Sequence, residues 1–122
     1  MKITANLIVP SIETCLPFWI DRLGFTKVTE VPEGETIGFV ILTKDGVELM
    51  LQSERSLAKD IEGAPRGGYR TALYVDVASL AEVQRALAGY DAIVVAERKT
   101  FYGARETIVR DPAGNLVAFA QH

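Results

Sequence analysis

The side chains able to do nucleophilic, acid–base or metal chemistry are few in this chain, and their placement limits them further. Among 122 residues there is one His, the terminal His122, and one Cys, Cys15. A metal centre built on imidazoles therefore has no material anywhere before position 122. Cys15 falls just inside an expected helix, where a helix N-terminus lowers a thiol pKa. With the only imidazole at the far end of the chain, a small buried apolar residue is the better reading. Phe101 and Tyr102, followed by Gly103, lie in a loop before a strand and offer ring faces to a flat ligand. Such a pair also serves simply to pin a loop to a core. Glu106 and Arg110, on the strand that follows, read as an exposed strand face.

Composition narrows the classes. A chain of this length with 48% hydrophobic residues supports one domain with a real core. Thirteen basic against sixteen acidic residues give a net charge of −3, and no Lys/Arg-rich run occurs, so nucleic acid is not an expected partner. The acidic balance favours a cationic ligand slightly. A single Cys excludes an intramolecular disulfide and fits a reducing compartment. The N-terminal apolar stretch is broken at Pro10 and is too short for a signal core or a membrane span. A cytoplasmic protein without a membrane partner is expected.

The elements that must position these residues follow from pattern. Residues 3–9 read as a strand stopped by Pro10-Ser11, with Ser11 as N-cap of a helix whose apolar face carries Cys15, Phe18, Trp19 and Leu23. Pro17 lies in its first turns, and Gly24 ends it. Strands are expected at Thr26–Val31, Ile37–Thr43 and Val47–Gln52, separated by Pro32-Glu33-Gly34 and Lys44-Asp45-Gly46. Residues 53–69 are polar and then rich in Gly and Pro. They read as a linker holding at most one helical turn at Leu57–Ile61. The second half repeats the order: a strand at Arg70–Asp76, a helix capped by Ser79, a strand at Ala92–Glu97, and a closing hairpin. That hairpin joins Ala104–Val109 to Leu116–Ala120 through Asp111-Pro112-Ala113-Gly114-Asn115. Each half is β-α-β-β-β. Residues repeat as well: Val9 with Val75, Gly24-Phe25 with Gly89-Tyr90, Val47-Glu48-Leu49 with Val117-Ala118-Phe119.

Aromatic-Gly-x-Arg at 102–105, then Asp-Pro-x-Gly-Asn and a last apolar strand, resembles the closing segment of the vicinal oxygen chelate superfamily. That superfamily includes glyoxalase I, bleomycin-resistance proteins, fosfomycin-resistance enzymes and extradiol dioxygenases. The run IVPSIETCLPFWIDRLGF resembles its opening, so the resemblance covers nearly the whole chain. It implies an α+β fold: a single domain over 1–122 in which two βαβββ modules (1–52 and 70–122, with the linker 53–69) curl into an open cup with helices outside. It also implies a homodimer.

The superfamily's enzymes hold a divalent metal through His on each module's first strand and Glu or His on each last strand. Matched residue by residue, these positions carry Thr4, Glu48, Arg70 and Ala118. Thr is a poor ligand, Arg keeps its proton, and Ala has no donor. No cofactor and no metal are therefore expected. Arg70 is left to pair with Glu48 or to receive an anionic group.

If Thr4 and Arg70 face the cup, strand alternation places Asn6 and Ile8, Glu48, Met50 and Gln52 there from the first module. Ala72, Tyr74, Ala118 and Ala120 face it from the second. With Phe101 and Tyr102 above, this lining is apolar with a few polar handles and suits a small organic molecule. The favoured expectation is metal-independent sequestration of such a molecule, as in bleomycin-resistance proteins. The alternative is a glyoxalase- or dioxygenase-like enzyme with an atypical metal site, or with Glu48 as general base in an apolar cavity.

Overall fold

Alternation in the first strand separates a core side from an open side at once. In β1 (Ala5–Val9), Leu7 and Val9 are buried while Asn6 is exposed. In the computed structural model, which describes residues 1–122, three strands follow: β2 (Thr26–Glu33), β3 (Thr36–Lys44) and β4 (Val47–Ser53). β4 does not finish at the sheet edge. It enters between β3 and β1, antiparallel to the first and parallel to the second, giving the order β1-β4-β3-β2.

The connection between β1 and β2 carries the core. The helix expected from Ser11 starts later and winds wider, as a π-helix at Pro17–Arg22 preceded by a turn that begins at Ile12. Pro17 is its first residue and has no N–H to give to the preceding turn. At the far end Leu23 N–H donates to Phe18 O at 3.1 Å and Phe25 N–H to Trp19 O at 2.9 Å, five and six residues back. The wide turn sets the Trp19 ring edge-on to both Phe18, at 5.0 Å, and Phe25, at 5.5 Å. Ile12, Cys15, Phe18 and Trp19 are buried, so Cys15 is a core residue, its thiol donating to Ser11 O at 3.3 Å.

The segment expected as a linker opens instead with a helix, α1 (Glu54–Asp60), which the sequence reading reduced to a single turn. Ser53 Oγ accepts from Ser56 N–H at 3.1 Å and Leu57 is buried, enough to fix seven residues.

The second unit, Thr71–His122, has the same plan as the first, Met1–Arg70. It contains β5 (Ala72–Asp76), α2 (Leu80–Ala86), β6 (Ile93–Lys99), β7 (Arg105–Arg110) and β8 (Leu116–Gln121), ordered β5-β8-β7-β6. β8 runs parallel to β5 and antiparallel to β7. Ser79 caps α2 as expected, accepting from Glu82 N–H at 3.2 Å. This is the α+β fold of two βαβββ modules. Two boundaries bear on the expected site: β1 begins at Ala5 and β5 at Ala72, so Thr4 and the exposed Arg70 lie outside the strands in which they were expected.

The turn between β7 and β8 is fixed by buried polar groups. Asp111 Oδ1 accepts from Ala113 N–H at 3.0 Å and Asn115 N–H at 2.8 Å, while Oδ2 accepts from Asn115 Nδ2 at 3.1 Å. Gly114 takes φ +87°, and Asn115 Oδ1 reaches Thr71 N–H at 2.9 Å, tying the turn to the entry of β5. Asp111→Ala strips buried donors of their acceptor and is expected to cost about 3 kcal/mol. Urea unfolding checks this; a loss below 0.5 kcal/mol, the ~0.5 kcal/mol scale of an ordinary surface change, contradicts it.

Candidate functional site

Each unit buries one face of its sheet and leaves the other available. In the first unit the open face is ordered by register. Ile8, Gln52, Phe39 and Val31 form one row across the four strands, and Asn6, Met50 and Ile41 form the next. Asn6, Ile8, Glu48, Met50 and Gln52 therefore share a face, as expected. Polar groups on it are chained: Asn6 Nδ2 donates to Gln52 Oε1 at 3.0 Å, and Gln52 Nε2 to Ser56 Oγ at 3.2 Å. Beside them an open cleft of about 560 Å³ is lined by Asn6, Phe39, Gln52, Ser56, Glu33 and Lys59. Glu48 is not isolated in an apolar cavity, as a general base would need. Its side chain is one-third exposed and Lys2 Nζ lies 3.4 Å from Oε1.

The open face of the second unit holds the surprise. Glu106, expected on an exposed strand face, is 0% exposed, whereas Arg110 at the end of the same strand is exposed. The carboxylate is met on both oxygens. Arg98 donates to Oε1 through Nε at 2.9 Å and Nη2 at 2.8 Å, and Oε2 accepts from Tyr74 Oη at 2.9 Å and Tyr102 Oη at 2.5 Å. Burial is tolerated because every direction of the charge is answered.

β8 lies between β5 and β7, so Tyr74 must reach across it. The residues it crosses are small: Ala118 is paired with Tyr74, and Ala120 with Glu106. A longer side chain at either place would stand in the path of the ring. Tyr102 arrives from the loop between β6 and β7, which is closed by Thr100 N–H to Ala104 O at 2.8 Å and Ala104 N–H to Thr100 Oγ1 at 3.0 Å. Its neighbour Phe101 stands fully exposed, ring edge toward Tyr102 at 5.0 Å. His122 completes the group, with Nε2 at 3.2 Å from Tyr74 Oη and 3.2 Å from Asp76 Oδ1. Because Tyr74 gives its proton to Glu106, the geometry assigns the donor role to Nε2–H. Asp76, Arg98, Glu106 and His122 were not among the expected site residues. Ala72 lies exposed on β5 nearby.

The electrostatics follow the contacts. The Tyr102 hydroxyl holds the Glu106 carboxyl below its usual range; burial opposes this, and Arg98 and Tyr74 reinforce it. Tyr74 is pushed well above the ordinary phenol value by desolvation and by its bond to Glu106, so it keeps its proton. Arg98 is raised by Glu106.

The sequence model of the Glyoxalase/Bleomycin resistance protein/Dioxygenase superfamily matches residues 3–119. The chain belongs to that superfamily. Solved structures agree on the fold. TioX from Micromonospora sp. ML1 superposes with a TM-score of 0.79 at 22% identity, over 100% of this chain and 98% of that one. A glyoxalase-related enzyme from Fulvimarina pelagi gives 0.79 at 18% identity, over 100% and 88%. Lactoylglutathione lyase from Agrobacterium tumefaciens gives 0.75 at 20% identity, over 99% and 92%. No curated protein sequence matches the chain.

The residues that the resemblance matches to the superfamily's metal ligands do not make a ligand set. Glu48 is engaged by Lys2, and Arg70 lies outside β5. Ala118 has no donor and faces Tyr74. Of the acids on that face, Glu106 already has both oxygens occupied, and Asp76 has only His122 beside it, at 3.2 Å, with no third His, Cys, Asp or Glu to complete a ligand set.

A carboxyl depressed in the folded state stabilises above its unfolded value, near pH ~4.3, and that stability is lost as pH falls through the folded value. The melting-temperature advantage of the wild type over Glu106→Gln is thus expected to be constant from about pH 5 to 7 and to shrink below about pH 4. An advantage that stays flat or grows toward pH ~3 contradicts the charged, paired carboxylate.

Proposed function

We propose that the protein binds a small, partly apolar organic molecule without a metal, in the manner of bleomycin-resistance proteins. What supports this reading is the donor set: the resemblance matches Thr4, Arg70 and Ala118 to the superfamily's metal ligands, and on the second sheet Glu106 is committed to Arg98 and two tyrosines. What the first sheet offers instead is half-buried Ile8, Phe39, Ile41 and Met50 around the Asn6–Gln52 pair. That mixture of apolar area with a few oriented donors and acceptors is the chemistry of an organic-ligand site. TioX and the bleomycin-resistance members of the superfamily lend analogy of fold, and analogy alone. Cytoplasmic residence and a homodimer belong to the same reading.

Thermal shift tests it. Excess Ni²⁺, Zn²⁺ or Mn²⁺ is expected to leave the melting temperature unchanged, while a library of small heterocyclic and aromatic compounds yields stabilisers, since a ligand of the native state raises the midpoint by mass action. Asn6→Ala with Gln52→Ala is expected to weaken such a stabiliser about tenfold, the loss of one or two hydrogen bonds of about 1 kcal/mol. Stoichiometric metal in the purified protein, or a clear rise with one ion alone, overturns the reading.

A further inference from the structure

We propose that the exposed aromatic group over Glu106 is a subsite for a planar aromatic cation bearing N–H donors. The proposal rests on the small-molecule reading above and names the chemistry that one of its faces selects. Three observations lead to it.

The first is the disposition of protons. Tyr74 and Tyr102 each have one hydroxyl hydrogen, and both hydrogens go to Glu106 Oε2. Toward solvent these hydroxyls present only lone pairs, so a partner must bring the proton. Tyr74 receives His122 in that way already.

The second is ring area. Phe101, Tyr102, His122 and Tyr74 form a continuous series, with successive ring centres 5.0, 6.3 and 6.2 Å apart. Phe101 is fully exposed, and Tyr74 and Tyr102 are each about half exposed, at 50% and 47%. Aromatic faces attract cations through their quadrupole.

The third is charge. Arg98 answers the buried Glu106, and Asp76, 74% exposed beside His122, holds its carboxylate toward solvent. Glu97 and Arg105, further along the hairpin, cancel one another. An aromatic anion would meet acceptor oxygens and the exposed Asp76 carboxylate; an aromatic cation meets that carboxylate, ring faces and acceptors together. The loop that presents Phe101 is preset by the Thr100–Ala104 bonds and by Tyr102's bond to Glu106, so little ordering is left for binding.

Proflavine, a fused three-ring cation with two amino groups, is the probe, and anthracene-9-carboxylate is its anionic counterpart of like shape. Fluorescence anisotropy of proflavine with the full chain is expected to show saturable binding that weakens with salt. The anthracene anion binds at least tenfold less tightly. Phe101→Ala and Asp76→Asn, both at exposed side chains, each raise the proflavine Kd by about threefold, with unchanged melting temperatures. Equal or tighter binding of the anion overturns the proposal, as does a proflavine Kd indifferent to both substitutions. If a library compound binds and proflavine does not, this inference falls and the small-molecule reading stands; if nothing binds, both fall.

Discussion

The placement of the last strand in each unit is the constraint on which the rest depends. β4 and β8 are made last in their units, yet each is inserted between the first strand and the third, parallel to one and antiparallel to the other. A parallel pair needs a crossover, and in each unit helical residues lie in it, which covers one face of the sheet and frees the other. The inserted strand then lies at the middle of the free face. Whatever side chains it carries decide whether the neighbours on either side can meet. In the first unit β4 carries Met50 and Gln52, and Gln52 itself becomes the link from Asn6 to Ser56. In the second β8 carries Ala118 and Ala120, and Tyr74 passes over them to Glu106.

Much of this was legible in the sequence. The turn residues Asp111-Pro112-Ala113-Gly114-Asn115 and the apolar alternation of the strands gave the element order, and within the first sheet Asn6, Glu48 and Gln52 share a face, as alternation requires. The wide π-helix was not legible, because a periodicity of three and four fits several windings and the choice lay in Pro17 and in the contacts of Trp19 with Phe18 and Phe25. α1 was missed because the polar run after Ser53 resembles a linker until Leu57 has a core to enter. Glu106 was misread because a lone Glu in a strand is ordinarily exposed. The sequence did hold a signal: a hairpin turning at Phe101–Tyr102 puts Arg98 directly opposite Glu106, the observed register. What it could not supply is Tyr74, which comes from two strands away and only across alanines.

At the position on β8 that the resemblance matches to a metal ligand, a coordinating side chain and the Glu106 network exclude one another. A glutamate or histidine at position 118 would bring a ligand but block the Tyr74 ring. Glu106 would then keep Arg98 and Tyr102 and lose one of its donors, an expensive vacancy for a buried charge. Conversely, Ala118 leaves open the path that lets the buried carboxylate be fully answered. The two arrangements compete for the same surface of β8, and this chain has the one that turns tyrosine oxygens outward as acceptors and leaves ring faces exposed. Under the proposed reading, recognition on that surface depends on what a ligand donates to the protein, whereas metal chemistry depends on what a ligand accepts from the ion.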